Sequence, residues 1–372
     1  MNNRIKILQT IRQGKIGGGE SHVLDLVEEL DKDKYESIVL SFTYGPMVDR
    51  MKEMGIKTYV IETEKPFDFT KWAAVKEILV SEKIDLVHAH GTRANSNTFQ
   101  SAKKLNIPIA YTVHGWSFHP DQNFLLKNLR IQGEKFLVNK ANLTICVSDN
   151  NLNDASKQFE MKRAKVVKYG INLKKYNPKG NFPDIRKELN IEPSTILVGY
   201  VVRMTKQKDP LTLVRAIALL PEDLDIKFLF VGDGELKEDA INLAKELNVY
   251  SKIIFINFRQ DVPNILNAID IYCLPSLWEG LPIGMLEAMA MNKAVVVTAI
   301  DGAKEVIKTG ENGMLVPVQN PKQLAETLTL VAKDEQLRIK IGSNAGKTIL
   351  EEFSVSIMTR KIEKIYDELV AQ

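Results

Sequence analysis

The sequence predicts an α/β protein built from two doubly wound domains. Three observations predict it. Apolar runs of strand length alternate with stretches of helical periodicity through the first half. A polar segment rich in Pro and Gly, Asn177-Pro178-Lys179-Gly180-Asn181-Phe182-Pro183, interrupts them near the middle. The same alternation then starts again. A βαβα order favours a parallel sheet with helices on both faces. A length of 372 residues suits two such domains better than one.

Taken in order, Ile5 to Ile11 is strand-like. Ser21 to Leu30 follows, with Val23, Leu26, Val27 and Leu30 at helical spacing. Further strands are expected at Ser37–Phe42, Thr58–Ile61, Leu86–Ala89, Ile109–Val113 and Leu143–Val147, with helices such as Trp72–Leu79 between them. Past the boundary the expected strands are Thr195–Val201, Lys227–Val231, Ile253–Ile256, Ile269–Leu274 and Ala294–Val297, with a helix at Pro210–Leu220. Val355 to Leu369 carries Ile357, Met358, Ile362, Ile365, Tyr366 and Leu369 at helical spacing.

Composition excludes several classes. The chain is 44% hydrophobic and 26% charged, ordinary for a globular protein. No apolar run approaches the roughly 20 residues that cross a bilayer. Met1-Asn2-Asn3 leads straight into a strand pattern, so no secretory signal is expected and the predicted location is the cytoplasm. Cys146 and Cys273 both fall in apolar runs and read as small buried hydrophobes, not as a disulfide. Charge is uneven: 27 Lys+Arg against 20 Asp+Glu through residue 175, and 23 against 27 after it. A basic half suits an anionic partner, although scattered surface charge explains so small an excess equally well.

The most informative stretch runs Pro275-Ser276-Leu277-Trp278-Glu279-Gly280-Leu281-Pro282-Ile283-Gly284-Met285-Leu286-Glu287-Ala288-Met289-Ala290. A buried-strand pattern leads into a Pro/Ser/Gly loop, and a helix begins near Ile283. Glu279 therefore sits at the carboxyl end of a strand and Glu287 on the helix. Ligands bind at such ends in open parallel sheets. Taken singly, either carboxylate is an ordinary surface charge. Two more glycine or cation loops occupy equivalent places. Gly17-Gly18-Gly19-Glu20 lies between the first strand and first helix, where free N–H groups suit an anion. His22 stands where the dinucleotide fingerprint needs its third glycine, so an NAD reading is weak. Arg203 and Lys208 bracket the loop Val202–Pro210, a pair of cations suited to a diphosphate.

Joined together, these stretches resemble the E-x7-E motif and its surroundings in the retaining GT-B glycosyltransferases of family 4. Glu279 and Glu287 match the two glutamates, Gly17–Glu20 the Gly-Gly-x-Glu loop, and Arg203 with Lys208 the Arg…Lys-Gly element, with Asp209 in place of that Gly. Asp85–Gly91 and Thr112–Gly115 also resemble family segments. So do Gly232-Asp233-Gly234 and the loop Asn257-Phe258-Arg259-Gln260-Asp261-Val262-Pro263 beside the nucleotide base. Lys168-Tyr169-Gly170-Ile171-Asn172 resembles the linker closing the first domain, with Tyr169 and Asn172 departing from its pattern.

The resemblance implies a GT-B fold whose domains face each other across a cleft and whose last helix crosses back to the first. Residues 1–177 with about 356–372 would form the acceptor domain, and 178–355 the donor domain. The implied activity is transfer of a hexose or N-acetylhexosamine from a nucleotide diphosphate sugar, most often a UDP-sugar. The acceptor would be a saccharide or polyprenyl-linked sugar in bacterial capsule, exopolysaccharide or lipopolysaccharide synthesis. Arg203, Lys208 and the Gly17, Gly18 and Gly19 amides would hold the diphosphate, and Glu287 the ribose. Glu279 with the Gly280–Leu281 amides and Pro282 would hold the sugar, His114 would face it, and Gly232, Phe258 and Arg259 would border the nucleotide. His90 has a lesser, structural claim. A metal-independent front-face displacement is expected, with no cofactor and no divalent metal. No nucleic-acid partner is expected. The alternatives are a sugar-nucleotide epimerase on the same fold and a non-catalytic sugar-nucleotide-binding protein.

Four features bear on other readings. His88-Ala89-His90 could offer two metal ligands on one strand face, but no third or fourth stands nearby. Gly342–Thr348 has three residues between its glycines where a P-loop has four. Asp31-Lys32-Asp33 and Asp223-Leu224-Asp225 read as solvated turn charges. Phe124 to Leu137 mixes apolar residues with Lys127, Arg130 and Lys135, a pattern shared by core-facing helices and by helices lying on anionic membrane.

Overall fold

In a computed structural model of the chain, the alternating segments form two parallel sheets. The structure describes residues 4–14, 17–118 and 122–371. Met1-Asn2-Asn3 and His119 lie outside the described residues. The chain divides into two compact units, one up to Gly170 and again from Val355, the other from Ile171 to Ser354.

In the first unit the strands are β1 (Ile5–Ile11), β2 (Tyr35–Ser41), β3 (Thr58–Val60), β4 (Leu86–His90), β5 (Ile109–Val113), β6 (Leu143–Cys146) and β7 (Ala164–Val166). Their order is β3-β2-β1-β4-β5-β6-β7, so the direction of winding reverses between β1 and β4. The second unit has β8 (Ile196–Val201), β9 (Ile226–Val231), β10 (Ile253–Ile256), β11 (Ile271–Leu274), β12 (Ala294–Thr298) and β13 (Met314–Val316). The order there is β10-β9-β8-β11-β12-β13, with the reversal between β8 and β11. At each reversal the loops after two neighbouring strands diverge and leave a crevice at the carboxyl ends. Every motif singled out above as donor-binding, except the Gly232 and Phe258–Arg259 loops, follows one of these four strands or β5.

Strands covered on both faces are apolar throughout rather than alternating. β5, β11 and β12 are buried at every residue. β4 is also buried throughout, yet it carries His88 and His90, which must then find partners inside the protein. The edge strands β7 and β13 were not expected. Each has three residues of which only one is β-branched or aromatic, whereas the equally short β3 is made of Thr58, Tyr59 and Val60. The first helix begins at Gly18, three residues before its expected start, because apolar spacing marks the buried face and is silent about a glycine-rich first turn. Ile269 was expected in β11 but ends the preceding helix Val262–Ala268 instead.

The C-terminal helix Val355–Val370 belongs to the first unit. Its Ile362, Ile365, Tyr366 and Leu369 pack with Ile7, Leu26, Leu86 and Ala110. The P-loop look-alike lies inside one continuous helix, Glu335–Glu352, where its glycines cannot cradle a phosphate. Both cysteines are buried and free.

Candidate active site

In the second unit the loop after β11 is tied to the loop after β8. The Leu277 N–H donates to the Gln207 carbonyl at 2.8 Å. Gln207 Nε2 donates to the Trp278 carbonyl at 2.8 Å and to Glu279 Oε2 at 3.3 Å. Thr298 Oγ1, from the end of β12, donates to the Ser276 carbonyl at 2.5 Å. Glu279 Oε1 also accepts from Ser276 Oγ at 2.9 Å and from Lys208 Nζ. The Lys208 and Glu279 side chains are only 22% and 10% exposed. The two residues assigned to diphosphate and sugar are thus an ion pair, shielded enough to be sensitive to loss of either member.

Asp209 has φ +47°, in the left-handed region where glycine is at ease and Asp is tolerated. This accounts for Asp standing where the family element has Gly. Its carboxylate also caps the helix Pro210–Ile217 by accepting from the Thr212 N–H. Arg203 differs from Lys208. Its side chain is 78% exposed, and its charge contact is with Glu235 at 4.0 Å. It stands on the same loop but outside the Lys208–Glu279 pair.

Glu287 lies one turn into the helix Ile283–Ala290, whose N-terminus has no side-chain cap. Tyr176 Oη donates to Glu287 Oε1 at 2.5 Å. Gly280, Leu281 and Pro282 join the two glutamates. A Cβ on Gly302 would come within 2.0 Å of the Gly280 carbonyl, so only glycine at 302 lets the short helix Asp301–Lys304 seat against this loop. Gly232, at φ +137°, carries the backbone across the Val202 carbonyl, which an added Cβ would meet at 2.0 Å. Phe258 is exposed, and its N–H donates to Asp233 at 3.0 Å. The Arg259 guanidinium is committed to Asp261, through bonds of 2.8 and 2.7 Å, and to Glu188. That grip holds the Asp261 carboxyl down at about 2. Any part Arg259 plays toward a nucleotide therefore falls to its backbone.

In the first unit the helix Gly18–Glu29 starts at Gly17. Glu20, in its first turn, is buried. Burial pushes its carboxyl up, opposed by the Arg12 guanidinium 3.6 Å away. Gly19 lies against the His114 ring, which an added Cβ would meet at 3.3 Å. His114 follows β5, and both its nitrogens are engaged: Nε2 with His90 Nδ1 at 3.2 Å and Nδ1 with Tyr169 Oη at 2.7 Å. His90 Nε2 meets Gln9 Oε1 at 2.9 Å. His88 meets Tyr366 Oη at 2.6 Å and Thr112 Oγ1 at 2.7 Å. With their nitrogens held by protein groups, His88 and His90 serve packing and polarity in the core. Among the described residues, no group of three or more His, Cys, Asp or Glu is arranged to hold a metal ion. His22 stands edge-on to His90, His114 and Tyr169, and neither of its nitrogens has a hydrogen-bond partner among the described residues. Burial pushes its pKa to about 4.

The first unit therefore brings Gly19 together with His114, and the second brings Lys208 together with Glu279. Arg203 and Arg259 have partners of their own. Sequence reasoning missed Tyr176, Gln207 and Ser276, which hold the two glutamates, and Gln9, Tyr169 and Tyr366, which hold the histidines. Ser276, Gln207 and Tyr169 stand inside stretches read for other residues, whereas Gln9, Tyr176 and Tyr366 carry no local motif, and Tyr176 is 111 residues from its partner. The one available signal was His88-Ala89-His90, two polar rings on one face of a buried strand.

Two family profiles match the chain in succession. Glycosyltransferase Family 4 covers residues 16–175 and Glycosyl transferases group 1 covers residues 181–348. The UDP-Gal:α-D-GlcNAc-diphosphoundecaprenol α-1,3-galactosyltransferase of Escherichia coli is 25% identical over 99% of this chain and 98% of its own. The N,N′-diacetylbacillosaminyl-diphospho-undecaprenol α-1,3-N-acetylgalactosaminyltransferase of Campylobacter jejuni is 25% identical over 91% of this chain and 93% of its own. Among solved structures, Anabaena Alr3699/HepE in complex with UDP and glucose superposes with a TM-score of 0.87 at 23% identity. That match covers 98% of this chain and 100% of the other.

Proposed function

The chain belongs to the family 4 glycosyltransferases with the GT-B fold, and from that premise we propose that it moves a hexose or N-acetylhexosamine from a UDP-sugar, with retention of configuration, onto a lipid-linked saccharide. The product would feed a bacterial cell-surface polysaccharide. The observation that carries this reading is the Lys208–Glu279 pair, with Glu287 and its partner Tyr176 on the helix that follows. Lys208 and Arg203 would bind the diphosphate and offset charge as UDP departs, a task that cations aimed at the leaving group perform without a metal. Lys208 would loosen its hold on Glu279 as the donor enters, freeing that carboxylate for sugar hydroxyls. Glu287 would accept from the two ribose hydroxyls, for which a carboxylate has two oxygens to offer. A donor phosphate oxygen would take the acceptor's proton, since neither glutamate is assigned that work.

Glu287→Ala is expected to weaken UDP binding by about 1.5–3 kcal/mol, the loss of a hydrogen bond to a charged group. Isothermal titration with UDP checks it, and an unchanged affinity would take Glu287 out of the ribose role.

The lipid-linked acceptor is supported by the two relatives named for undecaprenyl diphosphate acceptors. A surface of this chain also favours it. The helix Phe124–Lys140 exposes Phe124, Leu125 and Leu129 by 71–79%, near Lys127 and Lys135. Apolar tips among lysines suit the inner face of an anionic membrane. Among the described residues no helix is long and apolar enough to cross one. The protein is expected to sediment with phosphatidylglycerol vesicles, less so in high salt, and Leu125→Ser with Leu129→Ser should abolish it. Equal recovery of the double variant on vesicles would remove this surface from the reading.

A further inference from the structure

A continuous chain of hydrogen bonds runs through the first unit from the C-terminal helix to His114. Tyr366 Oη touches both His88 Nδ1, at 2.6 Å, and Gln9 Nε2, at 3.0 Å. Gln9 Oε1 touches His90 Nε2, His90 Nδ1 touches His114 Nε2, and His114 Nδ1 touches Tyr169 Oη. Gln9, His88, His90 and Tyr366 are buried. Burial holds His88, His90 and His114 far below the ordinary pKa, so each ring is neutral and carries one N–H and one lone pair.

Hydroxyls and neutral imidazoles can pass a hydrogen bond in either direction. A glutamine amide cannot, because one end only accepts and the other only donates. Gln9 therefore sets the polarity of the whole chain. With Oε1 toward His90, the His90 proton must sit on Nε2, and His90 Nδ1 must accept. The His114 proton then sits on Nε2, and His114 Nδ1 accepts from Tyr169. On the other arm Gln9 Nε2 donates to Tyr366, Tyr366 donates to His88 Nδ1, and His88 Nε2 donates to Thr112 Oγ1. Turning the Gln9 amide over would reverse every link together. His22 makes no hydrogen bond to these rings and so does not compete.

We infer that Gln9, held between Tyr366 and His90, is a positioning residue that fixes His114 as its Nε2–H tautomer, so that His114 offers a hydrogen-bond acceptor at Nδ1 to a substrate hydroxyl that takes the place of Tyr169. The role in transfer rests on the reading of His114 as a residue that faces the donor sugar. The tautomer itself does not. An imidazole held this way favours a hydroxyl that donates and disfavours a group that can only accept.

Nitrogen-15 correlation spectra of protein labelled at histidine read the tautomer directly, with the His114 signals assigned from their loss in His114→Asn. The wild type is expected to show one His114 form, protonated at Nε2. Gln9→Leu and the near-isosteric Tyr366→Phe should each lose that single form, because the amide is removed in one and loses its second hydrogen bond, and with it the coupling to His88, in the other. Thr112→Val breaks the chain beyond His88 and should leave the His114 form unchanged. Melting curves confirm folding, and Tyr366→Phe carries the test if Gln9→Leu does not fold. Turnover in Gln9→Leu is expected to fall about tenfold in kcat, equivalent to about 1.4 kcal/mol, with the donor KM nearly constant. A wild-type proton on His114 Nδ1, an unchanged tautomer in both variants, or a change in Thr112→Val would overturn the inference. The expected tautomers with unchanged turnover would instead overturn the place of His114 in the reaction.

Discussion

Lys208→Met is expected to lower kcat/KM by two to four orders of magnitude and to lower the melting temperature as well. Two losses combine. On the proposed reading the diphosphate loses a cation, and among the described residues Glu279 is left nearly buried with Ser276 and Gln207 for partners. Removing one member of a buried ion pair costs about 3–5 kcal/mol, and about 1.4 kcal/mol is tenfold in rate. Arg203→Ala separates the two losses. Arg203 is mostly exposed and leaves no buried carboxylate behind, so that variant should lose turnover and keep its stability. Adding Glu279→Gln to Lys208→Met should restore the melting temperature without restoring activity. Near-normal turnover in Lys208→Met would remove that residue from the site. Normal stability there would mean that the pair contributes nothing to the fold.

Stability is expected to fall steeply as pH drops from about 6.5 toward 4. His22 and His88 are held at about 4 and about 3 by burial, against 6.5 when the chain is unfolded. Between those values the unfolded chain binds protons that the folded one refuses. Stability is therefore fully present above about 6.5 and drains away as pH falls through the window. For His22 the loss amounts to about 3 kcal/mol. His88 adds a similar share over the same range and continues below it. Among the described residues the rings facing His22 are His90, His114 and Tyr169, and none of them offers an anion to stabilise a proton there. Asp261, held near 2, acts in a separate window and costs stability only below the ordinary carboxylate range. Urea unfolding midpoints at pH 7.5, 6 and 5 check this, and His22→Leu should flatten the dependence. Midpoints that do not move over that range would show that these rings are hydrated in the folded state.

Which parts could be read from the sequence follows from the range over which each interaction acts. β5, β11 and the helix after Pro282 announce themselves within a few residues, by apolar runs and by a loop of Pro, Ser and Gly. The motif loops at β1, β5, β8 and β11 were legible for the same reason, and parallel winding places them at carboxyl ends. β3, equally short and also at a sheet edge, was legible from its β-branched and aromatic Thr58, Tyr59 and Val60, whereas Ala164–Val166 and Met314–Val316 carry one such residue each. The partner of Glu279 was hidden for a different reason. Lys208 and Glu279 are separated by 71 residues and meet only because β8 and β11 are neighbours at the reversal of the sheet. Likewise, the hydrogen-bonded histidines gather from β4 and the end of β5. Their polarity comes from Gln9 on β1 and Tyr366 on the last helix, which sequence spacing alone does not bring together.

The most direct measurement is the product formed from UDP-galactose, UDP-glucose and their N-acetylhexosamine counterparts on an undecaprenyl-diphosphate-linked saccharide, with EDTA present throughout. Proton NMR of the new linkage, read beside UDP release, is expected to show an α-glycoside made from one α-linked donor. A β-linkage, or a reaction that stops in EDTA and resumes with Mg²⁺, would contradict a retaining transfer carried by Lys208, Arg203 and the two glutamates.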